Sequence, residues 1–187
     1  MRVLRLTFAI AALLLGSPAT GAVAAPSAPQ EAGVGPVTKL PLPRYASLKT
    51  DRVNLREGPS KDHRTLWVFQ RAGLPVEIVG EFETWRRIRD SEGTEGWVLH
   101  SLLSGRRTAI VNAGPDKGAE KAAVSLRARA DDGAEDQARL QTGVIGSVKS
   151  CTGTWCRLIV ALPNKRDVDG YIRQNRLWGV YPNEVVE

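Results

Sequence analysis

The 187-residue chain is 42% hydrophobic and 25% charged, with a formal net charge of +6, two cysteines and two histidines. Interspersed charges of both signs are ordinary for a soluble surface, and so few cysteines and histidines exclude a disulfide-dense or zinc-built scaffold. The chain holds no P-loop, no G-x-S-x-G, no H-E-x-x-H and no dinucleotide fingerprint, and its carboxylates are scattered rather than paired, so no catalysis, cofactor or metal is expected.

Residues 1–24 read as a secretory signal peptide: Arg2 and Arg5, an apolar stretch from Leu6 to Leu15, then Ala22-Val23-Ala24 as a cleavage site. An apolar run of about ten residues is too short for the roughly 18–20 that span a bilayer. The mature chain is therefore expected in the periplasm or secreted, without a membrane span. Residues 25–43 hold five prolines and two glycines with almost no charge, the composition of a flexible linker. The spacing Pro26-Ser27-Ala28-Pro29 is what chance gives in such a tether.

From 44 to 112 the dominant periodicity is two: Val53 and Leu55 alternate with Asn54 and Arg56, Val76 and Ile78 flank Glu77, and Val98 separates Trp97 from Leu99. Punctuators recur between them at Gly58-Pro59, Ala72-Gly73, Glu83-Thr84 and Ser91-Glu92-Gly93. Many short half-buried strands with frequent turns make a small closed sheet. A helical turn is expected over His100 to Leu103 and a last strand over 106–112.

The same features return in the same order about seventy residues later. Val53-Asn54-Leu55-Arg56 is echoed by Val124-Ser125-Leu126-Arg127, Thr84-Trp85 by Thr154-Trp155, and Gly96-Trp97-Val98 by Gly170-Tyr171-Ile172. So long a period indicates two domains rather than a solenoid. The expected boundaries are 44–112, a connector over 113–123 that is either a helical turn or a hinge, and 124–187. Strands in the second repeat are expected at 124–129, 138–141, 144–151, 155–162 and 170–173. Between the third and fourth, Gly153-Thr154 makes a two-residue turn that sets Cys151 opposite Cys156, so an exported chain should staple this hairpin with a disulfide.

Val53-Asn54-Leu55-Arg56-Glu57-Gly58-Pro59-Ser60, with the x-Trp-x-x-Ile strand and Gly96-Trp97-Val98 downstream, resembles the bacterial SH3-like (SH3b) domain family. The second repeat is similar but diverged, with Arg129-Ala130 at the place of Gly58-Pro59 and Tyr171 at that of Trp97. The resemblance implies an all-β protein of two tandem SH3-like barrels, and non-catalytic binding of cell-wall peptide or an envelope protein. It points to a shallow aromatic trough in the first repeat, drawn from Tyr45, Trp67, Trp85 and Trp97 and rimmed by Arg56, Glu57 and Pro59. Two other roles compete. One is a structural subunit of an envelope assembly that docks through Trp178-Gly179-Val180-Tyr181-Pro182. The other is polyanion binding by Arg86, Arg87 and Arg89 with Arg106 and Arg107, although nucleic acid is not expected.

Overall fold

The computed structural model describes residues 33–112, 123–162 and 166–187, so the predicted signal peptide lies outside the described residues. Two antiparallel sheets dominate. The first runs β5-β4-β8-β7-β6-β3-β9, from β3 (Arg44–Leu48), β4 (Val53–Arg56), β5 (Thr65–Phe69), β6 (Pro75–Phe82), β7 (Trp85–Arg89), β8 (Glu95–Leu99) and β9 (Leu103–Ser104). The second repeats that order as β12-β11-β15-β14-β13-β10-β16. Its strands are β10 (Thr108–Val111), β11 (Val124–Arg127), β12 (Asp136–Leu140), β13 (Ile145–Thr152), β14 (Trp155–Ala161), β15 (Asp167–Arg173) and β16 (Leu177–Trp178), with β17 (Val185–Val186) added on β13. Among the described residues there is no α-helix, only 3-10 turns at His100–Leu102 and Gln174–Arg176.

Alternation holds in β4 and β8, whereas β6 is buried at its first four positions. In β4 and β8 every second residue is buried, and Val53, Leu55, Ile88 and Val98 meet in one core while Leu126, Leu158 and Ile172 meet in the other. Gly96 and Gly170 occupy the same place in both. A Cβ on Gly96 would lie 2.8 Å from the Arg56 carbonyl oxygen, and one on Gly170 the same distance from that of Arg127. Strands pressed this close admit only glycine.

The hairpin disulfide forms as its register demands: Cys151 pairs with Cys156 across the Gly153-Thr154 turn, their Cα atoms 4.1 Å apart. Gly153 takes the positive φ of 89° that starts such a turn, whereas in the first repeat Glu83 stands there at 47°.

Two expectations are corrected. The strand over Thr108–Val111 does not end the first sheet but opens the second, pairing with β13 and β16 as β3 pairs with β6 and β9. Segment 113–123, whose residues 113–122 lie outside the described ones, therefore joins β10 to β11 within the second sheet rather than linking two domains. Only Gly105, Arg106 and Arg107 separate β9 from β10. Adjacency in sequence and a period of two cannot tell which sheet a strand joins, because both sheets offer the same edge.

The predicted flexible linker is the second correction, for its residues 33–43 are folded. β1 (Gly33–Val34) pairs with β2 (Pro41–Leu42), and the turn between them sits on the buried carboxylate of Glu81. That carboxylate accepts hydrogen bonds from the amides of Val37 (3.0 Å) and Thr38 (2.8 Å), the Thr38 hydroxyl (2.6 Å) and Arg44 Nη2 (2.7 Å). Burial alone would raise the Glu81 pKa, but these donors outweigh it and hold the group at about 2. A buried anion thus anchors a segment whose Val34, Val37 and Leu40 stay exposed.

Candidate functional site

Cross-strand partners share a sheet face. On the outer face of the first sheet one row runs Phe82, Trp85, Leu99, and the next runs Gly80, Arg87, Trp97, Arg56. A third row, Tyr45, Glu77, Arg89, Glu95, completes the face.

Beside the first row lies a groove of about 290 Å³, walled by Arg52, Asn54, Arg56 and Lys61 on one side and by Trp85, Leu99 and Leu102 on the other. The second repeat has a groove of about 310 Å³ built from the matching positions: Ser125, Arg127 and Asp132 face Trp155, Arg173 and Arg176. Motif, strand order and 3-10 turn place the same wall in both. The duplicated fold therefore presents one site twice, and the two copies differ in chemistry.

Their charges are balanced differently. In the second groove Asp132 and Arg173 form an ion pair, the Arg173 guanidinium lies 4.4 Å from the Trp155 ring centre, and Arg127 reaches Asp136 at 3.2 Å. Hydrogen bonding to Arg173 holds Asp132 below its ordinary pKa, and hydrogen bonding to Asp132 raises that of Arg173. In the first groove Lys61 stands at the place of Asp132 and Leu99 at that of Arg173. Arg56 Nη1 donates to the carbonyls of Lys61 (2.9 Å) and His63 (2.7 Å), and among the described residues no carboxylate forms a salt bridge with Arg52, Arg56 or Lys61.

Of the seven residues expected to form the trough, Arg56 and Trp85 line this groove, and Trp97 adjoins it in the next row, half-buried between Arg56 and Arg87. Glu57 is exposed and lies 3.7 Å from Arg64, Pro59 sits in the loop beyond, and Trp67, 60% exposed, stands on the edge strand β5. None of these three lines it. Tyr45 is elsewhere altogether. Its ring packs edge-on against Trp178 at 5.2 Å and tilted against Tyr181 at 4.6 Å, at the junction of the repeats. Phe82, Arg52 and Lys61 went unnoticed in the sequence. The apparent signal was comparative: Lys61 against Asp132 and Leu99 against Arg173 in aligned repeats.

The junction also accounts for two of the competing roles. Tyr181 donates its hydroxyl to Glu77 Oε1 at 2.9 Å, Arg107 clamps both oxygens of Glu184 at 2.9 and 3.0 Å, and Thr108 Oγ1 bonds the Gly73 carbonyl at 2.8 Å. Burial would raise the Glu184 pKa, but Arg107 and the Tyr181 amide hold it below its ordinary range. The tail over Trp178 to Pro182, expected to dock an external subunit, is thus packed on the first repeat, where it also walls a cavity of about 610 Å³ with Tyr45. Four of the five arginines offered to a polyanion are likewise engaged, Arg86 with Glu81, Arg87 with Glu95, Arg89 with Glu77 and Arg107 with Glu184, while Arg106 is exposed. No cluster of potential metal ligands occurs among the described residues, and no helix there is long and apolar enough to cross a membrane.

The family model described as "Bacterial SH3 domain" matches residues 49–105 and again 120–179. Among solved structures the chain is similar to NlpC2 from Trichomonas vaginalis, at 12% identity and a TM-score of 0.31, over 73% of this chain and 48% of that one. It is similar also to NlpC1 from the same organism, at 13% identity and a TM-score of 0.31, over 72% and 45%. The chain thus spans about half the length of these structures. No curated protein matches.

Proposed function

The chain belongs to the bacterial SH3 domain family, and we propose that it is an exported, non-catalytic binding module whose first repeat recognises peptide-containing cell-envelope material. One observation carries the reading: the first groove joins an apolar row, Phe82 to Leu99, to basic side chains with no carboxylate partner, while the second holds an internal ion pair, Asp132–Arg173. An extended peptide supplies apolar contacts and polar groups together, and a shallow aromatic groove on a rigid sheet suits it. Export is supported by the Cys151–Cys156 disulfide, which persists in oxidising compartments.

The test is retention on purified sacculi of the matched variants Trp97→Ala and Tyr171→Ala, each checked for folding. Losing part of one indole's burial removes about 1.5–3 kcal/mol. Trp97→Ala should therefore weaken retention at least tenfold and Tyr171→Ala much less. Equal loss from both, or loss from Tyr171→Ala alone, would overturn the assignment to the first repeat.

A further inference from the structure

We infer that the first groove is selective for a peptide carrying a carboxylate, with Lys61 and Arg52 determining that selectivity, and that the second groove has lost it by pairing its own charges. This rests on the envelope-peptide reading above and names the ligand class. The comparison is internal to the chain, since fold, register and Trp are common to both grooves and only the wall differs.

Three cations converge on the first groove. Arg52 and Lys61 are exposed, and neither makes a side-chain ion pair with any described residue. Of their acidic neighbours in sequence, Asp62 accepts from the Ser60 hydroxyl at 3.0 Å, and Asp51 forms no salt bridge with Arg52. An incoming carboxylate would meet a positive wall lying against apolar surface, where attraction is screened less than in open water. Opposite that wall Leu99 and Trp85 offer apolar contact, and Phe82, 49% exposed, extends it. The space of about 290 Å³ is at the small end of ligand sites, enough for one or two amino-acid residues.

The second groove shows what happens when that charge is answered internally. Asp132 takes the place of Lys61 and binds Arg173, which itself replaces Leu99 and lies over Trp155. Ser125, at the place of Asn54, donates to Asp136, which also holds Arg127. Ala123 stands at the place of Arg52, and Arg127 and Arg173 are both answered by carboxylates, with Arg176 lining the groove at the place of Leu102. A peptide is favoured over an extended polyanion because the cations are gathered in one small groove, while the arginines that would continue a basic track along the sheet are paired with Glu81, Glu95 and Glu77.

The experiment measures binding of the acetylated tetrapeptide Ala-Glu-Ala-Ala, with a free carboxyl terminus, and of its uncharged counterpart Ala-Gln-Ala-Ala amide to the full chain by calorimetry. The charged peptide should bind at one site per chain, at least tenfold more tightly. Lys61→Asp, a change on an exposed loop, should abolish the preference. The double variant Asp132→Lys with Arg173→Leu should raise the stoichiometry towards two. Equal binding of the two peptides, binding of neither, or a preference that survives Lys61→Asp would overturn the proposal. So would inorganic polyphosphate that binds more tightly than the peptide and displaces it. Sacculus retention by the same preparations separates the two levels: retention without a charge preference leaves the envelope-peptide reading standing and removes only this inference.

Discussion

Replacing Glu81 by Gln keeps the shape of the side chain and removes the charge that orders the N-terminal hairpin. The carboxylate serves four donors, two on each oxygen, and lies 3.6 Å from the Nε of the buried Arg86. A glutamine has one acceptor oxygen, so one pair of donors must face an amide N–H. Breaking a buried charge network in this way costs about 3–5 kcal/mol. The loss is capped locally, because the segment 33–42 can detach and rehydrate its amides. Hydrogen exchange should show Val37 and Thr38 losing their protection, and the melting temperature should fall, by at most the roughly 6–20 °C of the uncapped loss. The sign with pH follows from the depressed pKa. Glu81 is held at about 2 against an ordinary 4.5, so its contribution is fully present above pH 4.5 and is lost as pH falls from there towards 2. Protection of the two amides in the native chain should fade over that window, and the variant should show no such dependence. Unchanged exchange at Val37 and Thr38, with a melting temperature within a degree of the native one, would refute the anchoring argument.

Two further outcomes are expected. Burial, with Glu77 beside both rings, raises the pKa of Tyr45 and of Tyr181 above the ordinary 10, so in a Tyr171→Phe background no phenolate absorbance should grow as pH passes 10. Because the folded values are raised, the stability tied to them is present below pH 10 and lost above it, and ionisation should coincide with the loss of near-ultraviolet dichroism. Reducing Cys151–Cys156, or replacing both by serine, should cost about 2 kcal/mol by loop entropy and lower the denaturant midpoint of the second repeat.

What could be read in the sequence was local or repeated. The Cys151–Cys156 pairing follows from a two-residue turn that fixes its own register, and the repeated motif aligns Gly96 with Gly170. Period two correctly set Val53, Leu55 and Val98 inside and left Trp97 half-buried outside. Hidden were the features decided by long-range partners. Nothing around Glu81 announces that it is buried, since its donors stand about forty residues earlier. Tyr45 looked like a trough residue because an exposed aromatic on a strand reads the same whether it meets a ligand or Tyr181. The sheet that Thr108–Val111 joins is hidden for a similar reason, as hydrogen-bonding partners are a tertiary fact.

The junction and the groove use different rows of one sheet face, so the second repeat can diverge in its groove and still pack on the first. The row holding Glu77 and Arg89 is spent on Tyr181, and β10 follows β9 after only three residues, so the first sheet is buttressed on the side away from Trp85 and Lys61. A groove on a 60-residue barrel is made of strand ends and a loop, and it holds its shape only as well as the sheet beneath it does; domains of this size are marginal alone. Packing the Trp178 and Tyr181 rings on Tyr45, with Tyr181 donating to Glu77, stabilises that sheet from its far row without occupying the near one. The second repeat thus keeps the fold, and with it the buttress, while its own groove holds the Asp132–Arg173 pair.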